Sequence, residues 1–577
     1  MNRTGTPWTS LLGAVALTAL VLAPAWASAA DQAAESATAI ARIMETFARP
    51  PVDSGAAVGI AVGVTYRGRP LQFFSYGTAN VLDGTAVTPD TIFEMGSVTK
   101  VFTTALLGEA VLAGDLKLNL PLSRLATLVG TMPASTQKVT LLDLGDFTAG
   151  LTVDIPPRCP PPPTPLSGCI PNDRPAIAEY GAQDLLDYFR AFSAPRMPGP
   201  YFYSDISTGL IGLILGSNPN APMGDDAVQG WIGLVRDRIT GPLGMTDTFL
   251  FDQDATPSQQ ARLAGGYSQP SVEATASGGG VVILGFDGGL GYSAPPPATV
   301  AGGGGSGAVV TTSIDGFGHI ENISVQTPGQ GYLAPAEVAF GGNVTTPATG
   351  RAIVSNGQVI AISIHGRGQG YSPKNPPAVA LIGGNAGPGA RDAILAPADV
   401  SNGGVDFVRV IDGGAGYADP IAVIVPPGSA ADNAVPIWAP AGALKSTARD
   451  MLFFAEAALG HSVVNGAKLD PRVRAAFKMA QKGYACEAAG QRPCRALSGL
   501  TWSTNPAEGG MPAVVSKNGG LPGFSTDLRL VPSLDLGVIV FINSNQNAGT
   551  ANGKKPVSAS TEIADNIMYA IARSNLR

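Results

Sequence analysis

Histidine is almost missing from this chain. Three occur in 577 residues, His319, His365 and His461. A Ser-His-Asp triad needs an imidazole beside its nucleophile. His319 and His365 fall in a glycine-rich region, and His461 follows the helix-like stretch Met451–Leu459, away from any candidate nucleophile. No H-E-x-x-H pattern and no clustered His/Cys spacing occurs, so no metal is expected. The phosphate loop G-x-x-x-x-G-K-[ST] is also missing, and no cofactor is expected. Charge is scarce as well: 14% of residues are charged, against about 25% in ordinary domains. A net charge of −7 gives no basic footprint, which argues against nucleic acid and against an anionic membrane surface as partner.

Long apolar runs are missing too. The longest near the N-terminus, Leu11–Leu22, is shorter than the ~20 residues a membrane span requires. With Arg3 before it and Ala27-Ser28-Ala29 after it, it reads as a secretory leader over residues 1–29. Pro24 disfavours the alternative of a buried N-terminal helix. The mature chain is then expected to start at Ala30 or Asp31 in the periplasm or outside the cell, with no integral membrane segment. Cysteine is limited to four residues, in two close pairs: Cys159 with Cys169 and Cys486 with Cys494. Four cysteines allow three connectivities. Proximity in an oxidising compartment favours the two local disulfides Cys159–Cys169 and Cys486–Cys494, and neither spacing matches a zinc site.

What is abundant is glycine, 74 residues, and proline, 48. The glycine excess concentrates between about Val272 and Asp432. There Gly291-Tyr292, Gly331-Tyr332, Gly370-Tyr371 and Gly416-Tyr417 recur at intervals near 40 residues. Each pair is preceded by a strand-like run (Val281–Phe286, His319–Val325, Val359–His365, Val405–Ile411). Each is followed by prolines and a second run (Pro296–Val300, Pro335–Phe340, Pro377–Ile382, Pro420–Val425). A fixed period with alternating Val and Ile is expected to fold as an all-β repeat module rather than a disordered linker.

The rest reads as an α/β pattern. Asp31–Phe47 is helix-like, and Ala57–Tyr66 and Pro70–Tyr76 read as strands around Arg67-Gly68-Arg69. Val98–Ala113 reads as a helix, Phe524–Val531 and Leu536–Asn543 as a second strand pair, and Ser560–Arg573 as a closing helix. At 577 residues the chain exceeds the roughly 250–300 at which one core stops growing. The expected division is a leader (1–29), a first hydrolase part (30–271), an inserted β module (272–432) that folds by itself, and a second hydrolase part (433–577).

Three short motifs carry the chemistry. Ser97-Val98-Thr99-Lys100 is an S-x-x-K sequence at a helix start, where residues three apart share a face. A serine hydroxyl needs a neighbouring base before it attacks, and a helix N-terminus offers amides for an oxyanion. Tyr203-Ser204-Asp205 follows Pro198–Phe202, and Lys517-Asn518-Gly519-Gly520 leads into a strand pair. Taken singly, Ser-x-x-Lys is a chance occurrence, Tyr203 a half-buried aromatic and Lys517 a surface charge.

In this order, the motifs resemble those of the serine β-lactamase and D,D-peptidase superfamily, most closely its class C β-lactamase, D-aminopeptidase and esterase branch. The contexts Thr91–Gly96, Pro242–Met245 and Gly442–Met451 are similar too. The resemblance spans roughly 38–270 and 433–575. It implies a β-lactamase/D,D-peptidase-like α/β (α+β) fold with a helical subdomain. It further implies Ser97 as nucleophile, Lys100 and Tyr203 sharing the proton, and Lys517 supporting charge on Tyr203 and attracting a substrate carboxylate. Asn518 and Gly519 belong to the same substrate-binding strand, and the backbone N–H groups of Ser97 and Gly520 form the oxyanion hole. Two departures stand out. Asp205 replaces the usual amide and can pair with Lys100 instead, and Asn518 replaces a threonine. The expected substrate is a β-lactam or a D-amino acid peptide, with an ester as alternative. A cell-wall polymer is a candidate partner of the repeats, and a wall- or glycan-binding protein with a vestigial hydrolase is the reading from another class.

Overall fold

In the computed structural model, strands from both ends of the chain form one nine-stranded antiparallel sheet. Residues 29–574 are described, apart from 135, 154–180, 192–198, 269, 288, 290, 317, 343, 345, 387–388, 421, 425–427, 430–437, 489–493 and 546–558. The leader through Ser28 and the Cys159–Cys169 pair lie outside the described residues. The sheet order is Ala485–Cys486, Leu497–Ser498, Ser503–Asn505, Val514–Leu521, Phe524–Val531, Leu536–Ile542, Gly59–Tyr66, Gln72–Asn80, Thr85–Ala86. The N-terminal pair therefore docks beside the C-terminal pair, with Ile60 opposite Ile542 and Tyr66 opposite Leu536.

The two-residue period of a strand sorts the side chains into two cores. Ile60, Val62 and Val64, with Val538, Val540 and Ile542, face the N-terminal helix Ala29–Phe47 and the C-terminal helix Ala559–Arg573. Ala61, Leu528, Ile539 and Phe541 face the helical side, packed with Phe102, Leu210, Trp231 and Phe454. Each such fully buried aliphatic side chain is worth roughly 1.5–3 kcal/mol. The helical side is built from Lys100–Ala113, Asp205–Gly216, Ala227–Val235, Ala448–Leu459 and Pro471–Ala480.

Between them, the glycine-rich region forms four β-hairpins: Ser271–Ser277 with Gly280–Asp287, Ser306–Ile314 with Ile320–Gln330, Thr349–Ser355 with Gln358–Gly366, and Asp399–Ser401 with Gly404–Phe407. Asn356-Gly357 and Asn402-Gly403 turn two of them with φ positive at both residues, the conformation that favours Asn-Gly in two-residue turns. The sequence run Val405–Ile411 is broken in the structure, its second half being a separate strand, Val410–Asp412.

The Gly-Tyr pairs join the hairpins crosswise. The Tyr292 amide donates to Gly318 O in the second hairpin turn, and Tyr332 donates to Gly279 O in the first. Tyr371 donates to Gly403 O in the fourth, and Tyr417 to Gly357 O in the third. The region is thus two interlocked pairs, joined where Thr299–Ala301 pairs with Ala422–Ile424. Its entry and exit lie side by side, because Tyr267–Ser268 pairs with Gly428–Ser429. The third and fourth hairpins also lie against the C-terminal helix of the host. Ile353, Ala361 and Phe407 pack on the core that holds Ile563 and Ile567.

Candidate active site

Ser97 sits in a tight 3-10 turn, Gly96–Thr99, directly ahead of helix Lys100–Ala113. The helix thus starts two residues later than the apolar pattern suggests. The difference matters, since residues i and i+3 eclipse in a 3-10 turn and Lys100 comes to lie over Ser97. Lys100 Nζ donates to Ser97 Oγ at 2.9 Å and to Ala441 O at 2.6 Å, and it is ion-paired with Asp205. Asp205 opens helix Asp205–Gly216, capped by the Ser204 hydroxyl, which accepts from Ser207 N. That cap fixes the chain so that Tyr203, one residue earlier, points back to the serine, with Tyr203 Oη 2.5 Å from Ser97 Oγ.

Two ammonium groups flank the Tyr203 ring. Lys100 Nζ is 5.1 Å and Lys517 Nζ 4.9 Å from its centroid. Lys517 lies buried in strand Val514–Leu521, with Nζ donating to Asn518 O at 3.1 Å. Burial, and then the charge of Lys100, lower its pKa to about 7, against the opposing pull of Asp205, Asp527 and Glu487. Asn518 is exposed, and the pleat turns its side chain to the face opposite Lys517.

Two glycines let this strand reach Ser97. A Cβ on Gly519 would lie 2.2 Å from Met95 O and 2.9 Å from Ser97 N. One on Gly96, whose φ is +53°, would lie 2.7 Å from Gly520 N. The backbone of Ser97 and that of Gly520 are thereby neighbours around these two missing side chains. The segment just after the inserted region holds the other side of the turn: Met95 N donates to Leu444 O at 2.9 Å and Leu444 N to Thr99 Oγ1 at 3.1 Å.

Two further residues belong to the site. Phe147, buried and at φ +63°, stacks tilted on Tyr203 with centroids 5.0 Å apart, and its carbonyl accepts from Phe202 N at 2.8 Å. Such a backbone conformation is rare for a bulky residue, and nothing in the sequence signals it. Glu487 lies in the hairpin closed by the Cys486–Cys494 disulfide. Burial raises its pKa, while the Ser503 hydroxyl and Lys517 act in the other direction. Its place beside a half-cystine was the only cue. Among the described residues no group of three or more His, Cys, Asp or Glu could hold a metal ion, and no helix is long and apolar enough to cross a membrane.

The comparisons with known proteins agree with this geometry. The family model described as Beta-lactamase matches residues 40–331 and 364–562. A beta-lactamase of Escherichia coli (strain K12) is 28% identical over 226 residues, covering 38% of this chain and 50% of that protein. A beta-lactamase of Pseudomonas fluorescens is 27% identical over 235 residues, covering 40% and 56%. The chain thus spans about half the length of the curated relatives it matches. Among solved structures, a class C beta-lactamase in complex with cefoxitin aligns with a TM-score of 0.50 at 15% identity, over 92% of this chain and 99% of that one. Another class C beta-lactamase aligns with the same score and identity, over 93% and 99%. Identity this low speaks to fold alone, whereas the family match covers most of the sequence and includes Ser97, Lys100, Tyr203 and Lys517: the chain belongs to the beta-lactamase family.

Proposed function

We propose that this protein is an exported serine hydrolase that forms an acyl-enzyme on Ser97 and acts on a β-lactam or a D-amino acid peptide. The observation that carries the reading is the convergence on Ser97 Oγ of Tyr203 Oη at 2.5 Å and Lys100 Nζ at 2.9 Å. Tyr203, with both ammonium groups beside its ring, takes the Ser97 proton as Oγ attacks the substrate carbonyl. The Ser97 and Gly520 amides receive the oxyanion. Tyr203 returns the proton to the leaving nitrogen, and Lys517 attracts a carboxylate next to the scissile bond. Water then releases the acyl group.

A carboxylesterase is the second reading, and one residue favours it. Asp205, ion-paired with Lys100, is an acceptor only and offers no hydrogen bond to a substrate amide oxygen. The test is a panel of a β-lactam, a D-Ala-D-Ala peptide and a p-nitrophenyl ester, with a fluorescent phosphonate to mark the nucleophile. Turnover of at least one substrate and labelling at Ser97 are expected. Labelling that persists in Ser97→Ala overturns the assignment.

A further inference from the structure

We propose that Asp146 is a positioning residue for Tyr203: it locks Phe147 in a left-handed backbone conformation that holds the Phe147 ring against Tyr203. The short helix Leu141–Gly145 ends on Asp146, and Phe147 follows at φ +63°. The Thr148 amide donates back to Asp143 O at 2.9 Å, which closes the helix in a turn whose left-handed residue is ordinarily glycine. Phe147 cannot take that conformation without strain. Nor is a carboxylate favoured at a helix C-terminus, where the helix dipole is already negative. Both costs fall on the one turn that backs Tyr203.

Asp146 supplies what holds the turn. The residue is buried, and its Oδ1 accepts from Thr148 N at 3.1 Å and from Thr148 Oγ1 at 2.7 Å. A side chain bonded to the amide two residues on spans the residue between them and restricts its dihedrals. With Phe147 so fixed, its carbonyl accepts from Phe202 N, Thr148 O accepts from Gly199 N and Val153 O accepts from Asp205 N, each at 2.8 Å. These three bonds run along the segment that carries Tyr203 and Asp205. The Phe147 ring meets that of Tyr203 with centroids 5.0 Å apart and that of Tyr201 edge-on at 5.9 Å. A shift of Phe147 therefore reaches Tyr203 both through the main chain and through the ring.

The other side of the turn is tied to the helix that carries Lys100. Thr501, a buried β-branched residue at φ +62°, donates its amide to Gly145 O at 2.7 Å. Its hydroxyl lies 3.1 Å from that of Thr104, one turn beyond Lys100 on helix Lys100–Ala113. Thr104 Oγ1 in turn donates to Leu500 O at 2.9 Å. The fit is close, since a Cβ on Gly145 would lie 2.8 Å from Leu500 Cδ2. Two left-handed residues that are not glycine, Phe147 and Thr501, thus stand on either side of one hydrogen bond between the Lys100 helix and Tyr203. Strained backbone persists only where its surroundings over-determine it, and it gathers at functional sites.

This inference rests on the proposed role of Tyr203, so one of its two readouts needs no turnover. The full chain is labelled with 3-fluorotyrosine, and the Tyr203 fluorine resonance is identified by its loss in Tyr203→Phe. Asp146→Ala removes the acceptor and should displace that resonance. In the same variant single-turnover acylation by a p-nitrophenyl ester should slow about thirtyfold at saturation, while the half-saturating concentration stays within about threefold. Asp146→Asn keeps Oδ1 and should rescue both readouts, the rate to within about threefold of wild type. Thr148→Val deletes the shorter of the two bonds, should move both readouts the same way as Asp146→Ala, and decides the matter where Asp146→Ala does not fold. Either readout left unchanged in the folded variant, or an Asp146→Asn as impaired as Asp146→Ala, overturns the inference. A wild-type protein that never acylates at Ser97 overturns the hydrolase reading instead, and the fluorine resonance still tests the turn.

Discussion

Lys100 is ion-paired with Asp205 while it donates to Ser97 Oγ. The Lys100 side chain is wholly buried and that of Asp205 one-quarter exposed, so the pair lies at the boundary between core and cleft.

Exchanging the carboxylate for an amide tests what Asp205 does to specificity. Asp205→Asn supplies an N–H toward a substrate amide oxygen and weakens the hold on Lys100. The ratio of β-lactam to ester kcat/KM should rise about tenfold even as ester turnover falls. An unchanged ratio means that Asp205 does not contact the acyl side chain.

Tyr203 and Lys100 act on one oxygen and should behave as one unit. Tyr203→Phe and Lys100→Ala are each expected to slow acylation about a thousandfold, with the double variant little slower than either single. Stopped-flow acylation rates decide it. Multiplying losses would place one of the two outside the proton path.

Gly519→Ala tests the contact between the strand and the nucleophile turn. Its Cβ would fall 2.2 Å from Met95 O, so the strand must retreat and carry the Gly520 amide with it. A loss of roughly a hundredfold or more in kcat is expected, the scale of removing one oxyanion donor, with Ser97 still present. Gly285→Ala, likewise in a strand and without a positive φ but with open space around it, is the control for the added methyl group alone. Equal losses in both would refute the steric argument.

The Lys517 pKa near 7 sets a pH dependence with a definite sign. The group is a cation below that value and neutral above it. Preference for a carboxylate-bearing ester over its neutral analogue should therefore be full below about pH 6 and fade as pH rises through 7. Lys517→Gln should flatten the profile. A preference that persists unchanged at pH 9 in the wild type would remove Lys517 from substrate recognition.

The cluster around Ser97 was legible because each member announces itself locally. Ser97 and Lys100 are three residues apart, Tyr203 stands next to a helix cap, and Lys517 stands next to the paired glycines that a close backbone approach requires. The sheet was legible for the same reason, since a two-residue period marks a strand wherever it lies. The docking of the glycine-rich region on the C-terminal helix was not. Ser363 and Ile364 meet Glu562 and Asn566 across separations of 199 and 202 residues, and a lone Ser in glycine-rich sequence looks like a solvated turn residue. Nor could the crosswise Tyr-to-turn bonds be read from the period, which gives the spacing of the units and is silent on which unit closes which. Phe147 carries its signature in a backbone angle, and no residue type encodes that.

The crosswise bonding has an evolutionary corollary. A hairpin whose turn is closed by its neighbour's tyrosine, and whose own tyrosine closes the neighbour's turn, is half of a reciprocal exchange. Duplicating or losing one unit leaves an odd member with an unmet turn carbonyl and an idle tyrosine amide, a defect that a packed β structure tolerates poorly. Removing a single unit is therefore expected to cost more stability than removing a reciprocal pair, a difference that thermal melting of the two deletion forms would show.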